Sequence, residues 1–196
     1  MQEFIEALEK LAAGLEANSE EFTRLDSEAG DGDLGLTAGK IAGGIRTAIA
    51  EPGDSIKQLV LNLGKEISKA APSTFGTLYA SGFLAAGLAL KDEDDALTQL
   101  QSGLQAALEK IAQRGKSEEG QRTLLDALGP GSRAAAAASD IASALSNAAI
   151  AAEEGVEATK AMTPQHGRAG WIGERATGIA DAGATVIRRS VPAVSD

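Results

Sequence analysis

The chain has 196 residues, a formal charge of −10, 43% hydrophobic residues, no cysteine and one histidine; that length suits one domain with its own core, expected over residues 1–196, and is cramped for two. The missing cysteine excludes disulfide scaffolds, thiolate zinc sites, iron–sulfur clusters and cysteine nucleophiles, and a single histidine excludes a multi-histidine zinc site. The acidic balance argues against nucleic acid as a partner, because a phosphate lattice selects basic faces, so an anionic substrate would need a metal to mediate.

The opening MQEFIEALEKLAAGLEANSEE scatters acids among its apolar residues, unlike a signal or transit peptide. Nowhere does an apolar run approach the roughly 20 residues of a spanning helix; no membrane association and a cytoplasmic location are expected. Aromatic residues make up 3% of the chain, thin for strands, whereas abundant alanine favours close-packed helices. An all-helical domain follows.

In chain order, residues 3–18 put Phe4, Ile5, Leu8, Leu11, Ala12 and Leu15 at helical spacing. Helices are expected next at 36–50 and at 55–69, where Asp54 or Ser55 caps a stripe of Ile56, Leu59, Val60, Leu63 and Ile67. One at 77–90 precedes a stripe from Leu97 to Ile111, introduced by the acidic run 92–95 and closed by Gly115. Further helices are expected at 121–128, at 132–160 as one continuous alanine-rich helix, and at 184–191, about eight in all. Between them the glycines gather at 30–35, 115–120 and 167–183. Long glycine-bearing loops are more often functional than connecting, and these three are expected to meet at one end of the bundle.

The first glycine loop, Leu25-Asp26-Ser27-Glu28-Ala29-Gly30-Asp31-Gly32-Asp33-Leu34-Gly35, contains G-x-G-x-x-G, but no strand precedes it and its aspartates would repel a pyrophosphate. An EF-hand also fails, since Gly35 and Ala42 stand where ligands belong. What remains is Asp26, Asp31 and Asp33 within eight residues, spaced by glycines that let the backbone turn the carboxylates toward one point. Oxygen donors without histidine or cysteine favour magnesium, and one or two such ions, with phosphates as further ligands, would hold a nucleotide on an acidic protein. Spacing alone leaves open a solvated turn whose aspartates cap the next helix. No Walker A loop offers another phosphate site.

The loop 25–35 resembles the L-D-x-E-x-G-D-G-D-x-G signature of the DhaL family, the nucleotide-binding subunit or domain of dihydroxyacetone kinases. Phe75-Gly76-Thr77, Arg114-Gly115-Lys116, Gly120-Gln121-Arg122-Thr123-Leu124-Leu125-Asp126, Gly167-Arg168-Ala169-Gly170-Trp171-Ile172-Gly173-Glu174-Arg175 and Asp181-Ala182-Gly183-Ala184 resemble its later blocks in order and nearly in spacing. The resemblance implies an eight-helix antiparallel barrel whose loops at one end hold ADP or ATP through two magnesium ions. It implies Asp26, Asp31 and Asp33 as metal ligands, Leu34, Gly35, Leu36 and Thr37 along the phosphates, and Ala70, Ala71, Gly115 and Leu124 around the nucleotide. Arg168 and the turn Asp181, Ala182, Gly183 would close over it, with Arg168 adding positive charge during phosphoryl transfer.

The implied partner is a sugar-binding, DhaK-like subunit that carries dihydroxyacetone or a related short keto-sugar covalently, so the chain is expected to be inactive alone. A phosphotransferase-system protein as phosphoryl donor and a homodimer are further expectations. The sequence departs from the family at Leu34, often histidine, at Thr37, often asparagine, at Ala70-Ala71-Pro72-Ser73 in place of a glycine- and serine-rich loop, and at Ala182 in place of proline. These departures motivate the alternative of a non-catalytic or regulatory relative. His166 is expected in a surface loop, Trp171 to pack beneath its loop, and Arg175 to pair with a phosphate or with Glu174 or Asp181.

Overall fold

Side-chain caps start five of the helices. Ser55 accepts a hydrogen bond from the Gln58 amide (3.2 Å), Ser73 from Gly76 (3.1 Å), Asp95 from Thr98 (3.0 Å), Asp140 from Ser143 (2.8 Å) and Asp181 from Ala184 (2.8 Å). The computed structural model describes residues 1–167, 170 and 173–191. The described residues form helices α1 (Gln2–Ala17), α2 (Ser19–Ala29), α3 (Leu34–Ala50), α4 (Ile56–Ala70), α5 (Thr74–Ala89), α6 (Ala96–Gly115), α7 (Leu125–Ala136), α8 (Ile141–Thr159) and α9 (Ala182–Ser190). A 3-10 turn spans Gly173–Ala176, and no strand occurs among these residues.

Neighbours in sequence pack side by side from α3 to α8, and α9 bridges α7 and α8 back to α1, which returns to α3. Eight helices therefore close a ring, with α2 laid across α3 and α9. The pairing is antiparallel: Gly44 lies against Ile67 while Ala48 receives Asn62, and Gly82 meets Ile111 while Gly103 meets Ala86. Inside sits one core, from Leu8, Leu15 and Phe22 through Ile41, Ile45, Leu59, Leu63 and Ile67 to Leu125 and Val186. Alternation of direction brings the 30–33, 71–73 and 116–124 loops, with the end of α8 at Thr159 and the start of α9 at Ala182, to the same end of the ring. No described helix is long and apolar enough to cross a membrane.

One helix is added and two expectations are corrected. Residues 19–29, to which the sequence reading assigns no element, form α2, held by the buried stripe Phe22, Leu25 and Ala29; Asp26 therefore projects from a helix. The alanine-rich segment 132–160 is two helices, because Asp140 turns extended and takes both the amide and the hydroxyl of Ser143. Gln101 of α6 meanwhile occupies the carbonyls of Ala135 and Ala138 where α7 ends. Residues 121–124 are loop, since Asp126 accepts from the Gly120 and Thr123 amides and delays the helix to Leu125. Helix α6 ends at Gly115 as expected, and the residue after it, Lys116, is left-handed (φ 49°).

Helices approach closely where glycine removes a side chain. A Cβ at Gly155 would run into the Asp126 carbonyl of α7, whereas one at Gly43 would meet nothing. Gly155→Ala is expected to lower stability by about 1–3 kcal/mol through overpacking. Gly43→Ala, in a helix interior with open space, is expected to raise it by about 0.5–1 kcal/mol. Opposite shifts of the thermal midpoints check both.

Candidate nucleotide and metal site

Helix α2 ends at Ala29, the chain extends through Gly30, turns left-handed at Gly32 (φ 76°) and enters α3. Neither glycine accepts a side chain: a Cβ at Gly30 would strike the Asp26 carboxylate, and one at Gly32 the Ser27 hydroxyl. This fold-back brings one carboxylate oxygen each from Asp26, Asp31 and Asp33 within 4.8 Å of one another, Asp26 half-buried and the other two exposed. Opposite ligands of a magnesium octahedron are about 4.2 Å apart, so the all-oxygen donor set fits a hard divalent cation. Asp26 also accepts from the Leu34 amide (3.2 Å), tying the loop to the start of α3.

The capping alternative does not describe Asp33. It occupies the N-cap position of α3 without a side-chain cap hydrogen bond, unlike Ser55, Ser73, Asp95, Asp140 and Asp181. The four residues after it divide. Leu34, Gly35 and Thr37 are buried and Leu36 is exposed; Gly35 and Leu36 line a groove of about 640 Å³ between α3 and the α1–α2 junction. Gly35 has no room for a Cβ against Ser19 and Thr23.

Across the same end, Ala71 is buried beneath the start of α5, where Gly76 is pressed against it. Gly115 ends α6 beside Ser117 and Leu78. Leu124 is 6% exposed; a Cβ at Gly183 would lie 3.4 Å from Phe75 and 3.6 Å from Leu124, so α5, the 116–124 loop and the start of α9 converge. The Asp181 amide donates to Thr159 (2.9 Å), anchoring that turn to the end of α8. Leu34, Ala71, Leu124 and Ala184 belong to one packed core, which couples the four loops. Ala70 closes α4 beside this group and Ala182 opens α9. Arg168 and Trp171 lie outside the described residues, as do the side chains of Glu174 and Arg175. His166 is half-buried, its Nε2 2.6 Å from Gln121 Oε1, so it joins two loops instead of standing free on the surface.

Two charged residues went unnoticed as site residues in the sequence. Asp126, 4% exposed, grips the Gly120–Thr123 turn, and Arg122, 2% exposed with φ 57°, reaches across to donate from Nη2 to the Ile179 carbonyl (2.9 Å). Its Nε and Nη1 have no hydrogen-bond partner among the described residues. Burial lowers its pKa, opposed by the charge of Asp181. Asp181 keeps some exposure as a residue, but its carboxyl is enclosed, and burial pushes its pKa up to about 6 against the pull of the Ala184 amide and of Arg122. The signal in the sequence was the block Gly120 to Asp126, whose resemblance to the family includes both residues without giving either a role.

An acid whose pKa is raised on folding favours the folded state at low pH and loses that advantage as pH rises from its ordinary value through the raised one. For Asp181 the window runs from about 4 to about 6. Relative to wild type, Asp181→Asn is expected to gain about 2–3 kcal/mol of stability between pH 4 and pH 7. Denaturant unfolding of the nucleotide-free chain across that range checks it; parallel profiles would contradict it.

A family model described as the DAK2 domain matches residues 28–195. The chain is 32% identical over 171 residues to human triokinase/FMN cyclase, covering 84% of this chain and 30% of that protein. It is 32% identical over 200 residues to D-erythrulose kinase of Mycolicibacterium smegmatis, covering 97% and 34%. It is 29% identical to the ADP-binding subunit DhaL of a PEP-dependent dihydroxyacetone kinase of Listeria innocua, covering 87% and 83%. It thus spans about a third of the first two relatives and most of the third. The dihydroxyacetone kinase of C. freundii in complex with AMP-PNP and Mg2+ superposes with a TM-score of 0.77 at 25% identity, over 95% of this chain and 32% of that one. With its helical ring, its carboxylate loop and a match over most of its length, the chain belongs to the DAK2-domain family, in its DhaL-type form.

Proposed function

We propose that this chain is the nucleotide-binding subunit or domain of a dihydroxyacetone-type kinase. The observation that carries the reading is the convergence of Asp26, Asp31 and Asp33 within 4.8 Å on a loop braced by two obligatory glycines. These three would hold one or two magnesium ions with ADP or ATP, and the metal would supply positive charge that neutralises the phosphates. Gly35 and Leu36 follow at the start of α3, where unsatisfied amides favour anions. Leu124 and Gly183, with Ala70, Ala71, Gly115 and Ala182 beside them, would line the nucleotide. Asp181 sets the turn that closes the site, and Arg168 is assigned to the transferring phosphate.

The acceptor, dihydroxyacetone or a related short keto-sugar, would be bound covalently on a separate DhaK-like subunit or domain. The relatives three times this chain's length leave room for such a unit in one polypeptide, and the Listeria relative is named as a subunit. We further propose a homodimer. ATP exchanging as a substrate and a resident ADP rephosphorylated by a phosphotransferase-system protein are separated by one observation: stoichiometric ADP surviving purification marks the second. The burial of Leu34 and of Ala71 favours a second reading, a DhaL-like protein that keeps the barrel without transfer chemistry.

Calorimetric titration of the nucleotide-stripped chain with ADP and ATP, in magnesium and then in EDTA, tests the proposal. Magnesium-dependent binding is expected, weakened at least 100-fold in Asp31→Asn, equivalent to about 2.7 kcal/mol. Unchanged affinity in the variant, or no binding in any condition, would overturn it.

A further inference from the structure

We propose that Arg122 is a positioning residue of the nucleotide site, holding the 179–183 turn in place through Ile179 and Asp181; this rests on the nucleotide-binding reading above. Three features separate Arg122 from Arg46, Arg133 and Arg189. Arg46, Arg133 and Arg189 lie at partly exposed positions and meet the carboxylates of Glu9 and Glu16, of Glu119 and of Glu21. Arg122 is 2% exposed, and its guanidinium donates to a main-chain carbonyl 57 residues away. A fold that needed only volume here would use an apolar side chain, since a buried charge is a poor source of stability.

The second feature is how Arg122 is held. Asp126 accepts from the amides of Gly120 and Thr123 on either side of it. The turn thereby fixes Arg122 in a left-handed backbone conformation (φ 57°) that a side-chain-bearing residue rarely adopts. Backbone outliers over-determined by their surroundings cluster at functional sites.

The third is what it reaches. The 179–183 turn carries Asp181, whose carboxylate caps α9 and whose charge Arg122 feels, and Gly183, packed against Leu124 and Phe75. Arg122 faces Asp181 from the 116–124 loop, and Asp126 faces it from α7 with the opposite effect on its charge. The guanidinium thus ties the wall that carries Leu124 to the turn that closes on it. Nε and Nη1 remain without partners among the described residues, so the tie is made by one directed bond and by charge.

The test measures ADP affinity in magnesium for wild type, Arg122→Lys, Arg122→Met, Asp181→Asn and Arg122→Met/Asp181→Asn, each shown folded without ligand by circular dichroism and melting. Arg122→Met is expected to weaken ADP at least tenfold, with Arg122→Lys intermediate because it keeps the charge. Asp181→Asn is expected to add less than twofold in the Met background, as it must if Arg122 acts through that turn. Arg122→Met within twofold of wild type, with only its melting temperature lowered, assigns a structural role and overturns the proposal. So do a Lys variant no better than Met, and effects of Arg122→Met and Asp181→Asn that multiply independently. If Arg122→Met does not fold, the same cycle with Arg122→Lys decides, by non-additivity with Asp181→Asn. Wild type that binds while the variants match it defeats this inference alone; wild type that does not bind ADP overturns it together with the nucleotide reading.

Discussion

The ring of helices depends on backbone meeting backbone. With aromatic residues at 3%, the interior is filled by leucine, isoleucine and alanine, and neighbouring helices must come close to leave no voids. They do so at glycines: Gly44 against Ile67, Gly64 against the Ala80 carbonyl and Leu84, Gly87 against Leu61, Gly155 against Asp126. Each contact fixes one antiparallel pair in height as well as in distance. Helices locked in register end level with one another, so the loops that carry the site inherit their positions from contacts deep in the barrel. Gly155 shows the link most directly, since the residue it touches also holds the Gly120–Thr123 turn.

That end of the ring concentrates negative charge on an already acidic chain. Asp26, Asp31 and Asp33 share one small volume at the surface, and Asp126 and Asp181 lie just inside. Much of the positive charge is committed elsewhere, Arg24 to Glu28, Arg46 to Glu9 and Glu16, Lys69 to Glu66, Lys160 to Glu157, and Arg188 and Arg189 to Glu153 and Glu21. Clustered carboxylates are stabilised by a hard cation between them. A nucleotide phosphate brought to this end would meet repulsion unless such a cation came with it, so the charge distribution supports the metal dependence proposed above.

The helices were legible where an apolar stripe coincided with a strong cap, as at Ser55 and Asp95. Reading failed where a short side-chain bond overrode propensity. Alanine at 134–138 favours an unbroken helix, yet two hydrogen bonds between Asp140 and Ser143, with Gln101 on the facing carbonyls, end it. Such pairings depend on which element lies opposite, which periodicity does not encode. The convergence of the three aspartates was legible because glycines between them let the backbone fold back, while their spacing alone left a solvated turn open. Arg122 was not, because its burial arises from contact with Ile179, 57 residues later.

The departures from the family bear on different steps. Leu34 turns its side chain into the core while its amide is held by Asp26; a leucine here leaves the carboxylate geometry intact, because the backbone does the bracing. The second loop differs in kind. Ala71 is 1% exposed and packed by Gly76, so this segment is closed core where the family it resembles has a glycine- and serine-rich loop. On the proposed function, metal affinity would belong to the first loop and phosphate handling to the second. Sequence change could then weaken transfer while leaving magnesium-dependent nucleotide binding in place, and a measurement of binding and one of turnover would report on separate parts of this fold.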